Sequence, residues 1–192
     1  RTKLQHHFGV SSLAAWGAEH LSLGLGCAGA VLGYAQSMHG AQLAHVQALL
    51  VELPSSFVVL DEVTRRNLEL TQNLNGEFEH SLAWVLDRCA SAMGSRLLRR
   101  WLHQPLRDRV TLLRRQEAVH ELRLNYRFEP LQETLRDVGD VERILARVAL
   151  KSARPRDLSR LRDTLALLPQ LQADLRALQT SHVQDVARRI SE

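Results

Sequence analysis

The 192 residues carry 25 Lys and Arg against 21 Asp and Glu, a formal net charge of +4, with 45% hydrophobic and only 5% aromatic residues. That is enough apolar material for one domain or one and a part, and the mild positive balance permits a nucleic-acid partner without demanding one. Two lone cysteines, Cys27 and Cys89, imply no disulfide framework.

The first residues, RTKLQHHFGV, lack the apolar stretch of a secretion signal. The most apolar run, residues 21–35, is Gly-rich and shorter than the roughly 20 residues of a membrane span. A cytoplasmic protein with no membrane partner is expected. Residues 1 to about 40 are rich in Gly and Ala and read as the end of a fold begun upstream. Ser11 and Ser12 can cap a short helix through Trp16 that Gly17 ends. A longer helix is predicted over residues 21–39, stopping at Gly40, with Gly26, Gly29 and Gly33 letting another element come close. Residues 24–29, GLGCAG, match GxGxxG. That fingerprint needs a preceding strand, a helix opening at it, and an acid about 20 residues on. The next acid is Glu52, so small-residue packing is the better account, and an enzyme using a dinucleotide is the weaker alternative.

Residues 46–52 and 57–60 have the Val and Phe content of strands, with Leu53-Pro54-Ser55-Ser56 as a turn. A β-hairpin over about 46–60 is expected. From residue 61 the pattern is helical. Asp61 caps a short helix through Asn67, residues 70–79 read as loop, and Ser81 caps another helix. Residues 94–103 place Leu97, Leu98, Trp101 and Leu102 on one predicted buried face, with Arg96, Arg99 and Arg100 opposite. Pro105 forces a break. Asp108 then caps a helix with the stripe Leu112, Leu113, Val119 and Leu122. Pro130 suits the first turn of the next helix, and Asp140 opens one with Val141, Ile144, Leu145, Val148 and Ala149 on its apolar face. Pro155 starts another with Leu158, Leu161, Leu165 and Leu168 inward, and Asp157 complements its dipole. Pro169 predicts the next boundary, and the last stretch reads as helix.

Chemical motifs are few. No GxxxxGK[ST], HExxH or GxSxG occurs, so no catalytic residue, cofactor-binding residue or metal ligand is predicted. Arg96, Arg99, Arg100, Arg107 and Arg109 form the densest positive cluster. They can hold phosphates, or pair with Glu117, Glu121 or Asp87 in surface networks. No aromatic residues interleave with them to make a base-stacking platform.

Three segments in order carry a resemblance: FVVLDEVTRRNLEL at residues 57–70, MGSRLLRRWLHQPLRD at 93–108 and GDVERILARVALKSARPRDL at 139–158. Together they resemble the core, or lever, region of the MutS family of DNA mismatch-repair proteins. The resemblance implies a mainly α fold: a multi-helix lever bundle with a small β-hairpin, preceded by the helical end of a truncated α/β connector domain. Residues 1–42 would be that connector part and 43–192 the first half of the lever. The chain would then be an interior fragment, itself no enzyme and without a cofactor. The intact protein would be a DNA-dependent ATPase using ATP and Mg, a homodimer on mismatched duplex, with a MutL-type partner. The segment would couple nucleotide state to DNA binding. Arg65, Arg66, Asn67 and Arg143 would be braces, Arg65 and Arg66 acting with Glu62 and Glu69, and Trp101 a core anchor. The family reads mismatches with Phe-x-Glu; Phe78 is followed directly by Glu79, so it reads instead as a loop residue anchored on the core. The competing reading is a self-contained helical adaptor or non-specific DNA-binding module.

Overall fold

A computed structural model describes residues 1–39 and 43–190. The expected stop at Gly40 and the end of the last helix at 191–192 lie outside them. The chain is mainly helical and divides into two compact units, Arg1–Leu53 with Leu145–Ala153, and Pro54–Ile144 with Arg154–Glu192.

In the first unit, α1 (Thr2–Phe8) ends where Gly9 turns left-handed at φ 65°, a conformation that costs a residue without Cβ little. A single 3₁₀ turn at Ala14–Trp16 ends at Gly17 in the same way, as expected. Helix α2 (Ser22–His39) runs straight through GLGCAG, so those glycines open no phosphate loop. Gly29 is buried beside Arg1 and Leu4, and a Cβ on Gly33 would lie 2.9 Å from Lys3 Nζ. These two glycines let α1 approach; Gly26 has nothing within 4 Å. Leu4, Leu13, Ala18, Leu25, Leu32 and Leu43 form the core here.

The predicted hairpin is not formed. Residues 46–52 adopt no strand, and Pro54–Ser56 make a 3₁₀ turn. Phe57 instead makes an isolated antiparallel bridge with Leu106, flanked by Val58 N–H to Pro105 O at 2.8 Å and Arg107 N–H to Ser56 O at 3.1 Å. A lone two-stranded hairpin is marginal in water. The segment before Arg107 supplies Phe57 with a partner, and Pro105 accepts there without needing a donor of its own.

The second unit begins with α3 (Glu62–Asn67) and α4 (Leu82–Leu86), capped by Asp61 and Ser81. Ser91 caps α5 (Ala92–His103), and Asp108 caps α6 (Arg109–Arg123) by accepting from Val110 and Thr111 N–H. α7 (Phe128–Asp137), α8 (Val141–Ala149, of which residues 145–149 group with the first unit), α9 (Pro155–Arg176) and α10 (Ser181–Arg189) follow. The Asp61, Ser81 and Asp108 caps were legible because a short oxygen-bearing side chain satisfies N–H groups that the first turn leaves open.

Helix existence was easier to read than helix facing. Leu97 and Trp101 on α5 are 47% and 40% exposed, and α5 holds no fully buried residue. Leu112, Leu113 and Val119 on α6 are exposed too, as are Leu158 and Leu165 on α9. The close-packed positions are Ala118, Leu131, Leu171, Leu178 and Val183, where α6, α7, α9 and α10 meet. Small and polar side chains such as Ala118, Thr164 and Gln172 are buried on these helices, ahead of many of their leucines. Pro169 does not end a helix; it sits inside α9. It is exposed, so its ring meets solvent, and packing of the residues around it carries the helix past one missing backbone bond.

Candidate functional site

The arginines of α5 define the candidate site, and the structure shows what each of them meets. Ser91 accepts from Gly94 N–H at 3.2 Å and starts the helix, and its pitch then presents Arg96, Arg99 and Arg100 to neighbouring segments. Arg96 reaches the start of α8. Its Nη1 and Nη2 donate to Asp140 Oδ2 and Oδ1 at 2.8 and 2.7 Å, and its Nη2 and Nε donate to Glu142 Oε2 at 2.6 and 3.2 Å. This is a two-pronged guanidinium–carboxylate geometry, shared with a second acid. Arg96 foremost, by its hydrogen bonds, holds the Asp140 carboxyl below its ordinary range, and the same bonds push the guanidinium up. Asp140 Oδ1 also accepts from Arg143 N–H at 3.3 Å, so it opens α8 as expected while gripping α5.

Arg99 lies over the Phe78 ring at 4.8 Å and 3.9 Å from Asp87. Burial would raise the Asp87 carboxyl, but hydrogen bonds from Ser95 Oγ and Cys89 N–H outweigh it and leave the group lowered. Phe78 is thus a platform for Arg99 and is 38% exposed; it is not anchored in the core. Arg100 donates to Gln104 Oε1 at 3.5 Å. Arg107 and Arg109 are exposed on either side of the cap residue Asp108, and among the described residues neither guanidinium has an ion partner. So the cluster splits: Arg96 and Arg99 face carboxylates, while Arg107 and Arg109 face solvent.

The expected braces sit elsewhere. Arg65 and Arg66 on α3 are exposed and, among the described residues, pair with neither Glu62 nor Glu69. Glu69 stands beyond the helix at φ 47° and accepts from Leu74 N–H at 2.7 Å, which turns it away. Both arginines instead line a polar pocket of about 650 Å³ with Thr71 and His103. Burial, and then the Arg65 charge, push the His103 imidazole below its usual value. Asn67 closes α3, exposed. Arg143 is mostly exposed, 3.5 Å from Asp140. Trp101 is not a core anchor: the Arg115 guanidinium covers its ring at 3.7 Å and the indole remains at the surface.

Three further ties join segments that are distant in sequence. Glu121 on α6, only 8% exposed, accepts from Gln179 N–H at 2.7 Å and Thr180 N–H at 2.9 Å, at the start of α10. Burial would raise this carboxyl; those two N–H groups more than offset it, with Arg127 adding a little, and the group is lowered. Arg114 on α6 meets Ser181 at 3.1 Å and pairs with Asp185 on α10. Thr164 on α9, 1% exposed, accepts from Gly139 N–H at 2.8 Å and donates to Arg160 O. Sequence reading missed these partners because they lie up to 71 residues apart, beyond any local spacing rule. A polar residue interrupting an apolar face, as Glu121 does, was the available signal.

Among the described residues, no group of His, Cys, Asp and Glu is placed to hold a metal ion, and no helix is long and apolar enough to cross a membrane. Compared with known protein families, residues 63–192 match MutS domain III.

Proposed function

The chain belongs to the MutS family, of which it carries domain III, with a role in DNA mismatch repair, and from that premise we propose that it works as a passive helical strut. In this reading it relays strain between a nucleotide-hydrolysing part and a DNA-holding part encoded elsewhere in a longer, cytoplasmic polypeptide. That polypeptide would use ATP and Mg, act as a homodimer on mismatched duplex, and engage a MutL-type partner. The strut itself performs no catalysis and holds no cofactor.

One observation carries the proposal: the fork of Arg96 on Asp140 and Glu142, which clamps α5 to the start of α8 across 44 residues of sequence. A strut must resist deformation. Close-packed helices transmit strain, and directional charge-assisted bonds fix the register in which they do so. Coupling then requires two discrete arrangements, each favoured by a ligand at a distant site. Arg107 and Arg109 supply the positive surface for any incidental phosphate contact.

The purified chain should therefore hydrolyse no ATP. Its binding to perfect and mismatched duplexes, followed by fluorescence anisotropy across a salt series, should be weak, indifferent to the mismatch, and steeply reduced by salt. Mismatch-selective binding by this chain alone would favour the self-contained DNA-binding module and end the strut reading.

A further inference from the structure

A second pocket, of about 540 Å³, opens between the end of α5 and the body of α6. Its walls are apolar: Trp101 and Leu106 from one side, Leu112 and Val119 from the other. Its charged members are all basic. Arg115 and Arg123 line it together with His120, and among the described residues no carboxylate does. By contrast, the α5 arginines Arg96 and Arg99 and the α6 arginine Arg114 face acids.

Arg115 is the informative residue. Its guanidinium carbon lies 3.7 Å from the centre of the Trp101 ring, a cation–π contact that holds it over the indole. Yet its Nε is buried with no hydrogen-bond partner. A buried donor left unpaired costs free energy that an incoming acceptor would recover. Arg123 stands exposed at the rim, with no acid beside it among the described residues. The site thus combines a hydrophobic cavity, an under-satisfied guanidinium held over an indole, and a rim of one sign.

We propose that this pocket docks a short peptide segment of a partner protein that carries a large apolar side chain next to a carboxylate. The apolar side chain fills the cavity between Trp101 and Val119. The carboxylate accepts from Arg115 and is drawn in by Arg123. A phosphodiester backbone would meet the same charges, but it gains nothing from apolar walls; an acidic peptide with a Leu or Phe uses both features. The inference does not depend on the strut reading, since it concerns what binds the surface and not what the helices transmit.

The test uses the full 192-residue chain and a fluorescein-labelled peptide, Gly-Asp-Leu-Phe-Glu-Gly, followed by anisotropy. Saturable binding is expected, weakened about tenfold when the probe's Asp and Glu become Asn and Gln, and by a similar factor in Arg123→Glu. Arg123→Glu alters an exposed rim position, so its helical circular dichroism should match the parent. Trp101→Ala should weaken binding as well; if that variant misfolds, Arg123→Glu decides alone. An excess of duplex DNA should leave the peptide bound. Absence of saturable binding, equal affinity for the neutral peptide or for Arg123→Glu, or displacement by duplex would each overturn the proposal, the last by marking the pocket as a nucleic-acid surface.

Discussion

At the scale of single residues, the unit is held by polar side chains placed where helices would otherwise leave backbone groups unpaired. Glu121 caps α10 from another helix, and its carboxyl is lowered by the N–H groups of Gln179 and Thr180 once they outweigh burial. A carboxyl whose folded value lies below its unfolded one adds stability above the unfolded value, and loses it as pH falls through the folded one. Glu121→Gln should therefore cost about 1–3 kcal/mol at neutral pH, and the gap to the parent should shrink in acid. Urea unfolding at both pH values measures this; a gap that stays constant with pH would contradict it. Gly139 makes a second, independent case. A Cβ there would sit 2.8 Å from Arg160 Cγ and 3.0 Å from Thr164 Oγ1, and Thr164 is committed to the Gly139 N–H. Gly139→Ala should destabilise by about 1–3 kcal/mol through overpacking, read in the same unfolding assay.

At the scale of elements, local chemistry was legible and long-range chemistry was not. Asp61, Ser81, Ser91 and Asp108 all cap helices, and all but Ser91 were readable from sequence, because a cap depends on residues only a few positions apart. The hairpin failed because strands need partners, and the partner of Phe57 came from the segment around Leu106, 49 residues on. Of the arginine cluster, the Arg99–Asp87 pairing was legible as an alternative, but nothing near α5 in sequence reveals that Asp140 and Glu142 fold back onto Arg96. Pro169 was misread because a breaker rule is statistical, and an exposed ring on a helix packed on its other side can be carried. Its cost remains measurable. Pro169→Ala returns one N–H to the helix ladder of α9 and should raise stability by up to about 3 kcal/mol. A higher thermal midpoint is expected; an unchanged or lower one would show that the proline shapes α9 usefully.

At the scale of the whole molecule, the resemblance carried by TRRNLEL and MGSRLLRRWL identified the family, while apolar periodicity alone gave only a count of helices and a poor account of which faces are covered. Exposed Leu97, Trp101, Leu112 and Val119 show that periodicity marks a face without naming what packs on it. The division into units is testable. Residues 145–153 group with residues 1–53, so deleting 1–53 should leave α6, α9 and α10 protected in hydrogen exchange while 145–153 lose protection. Uniform loss across both units would contradict that independence.

The strut account itself is tested most directly inside a mismatch-repair protein that contains this chain as its domain III, by measuring how much a mismatched duplex changes the rate of ATP hydrolysis. Arg96→Ala removes the fork on Asp140 and Glu142 and should cut that mismatch response about tenfold while ATP affinity stays unchanged; Arg96→Lys, a point charge without the fork, should restore part of it. A full mismatch response in Arg96→Ala would mean that the clamp between α5 and α8 carries no signal.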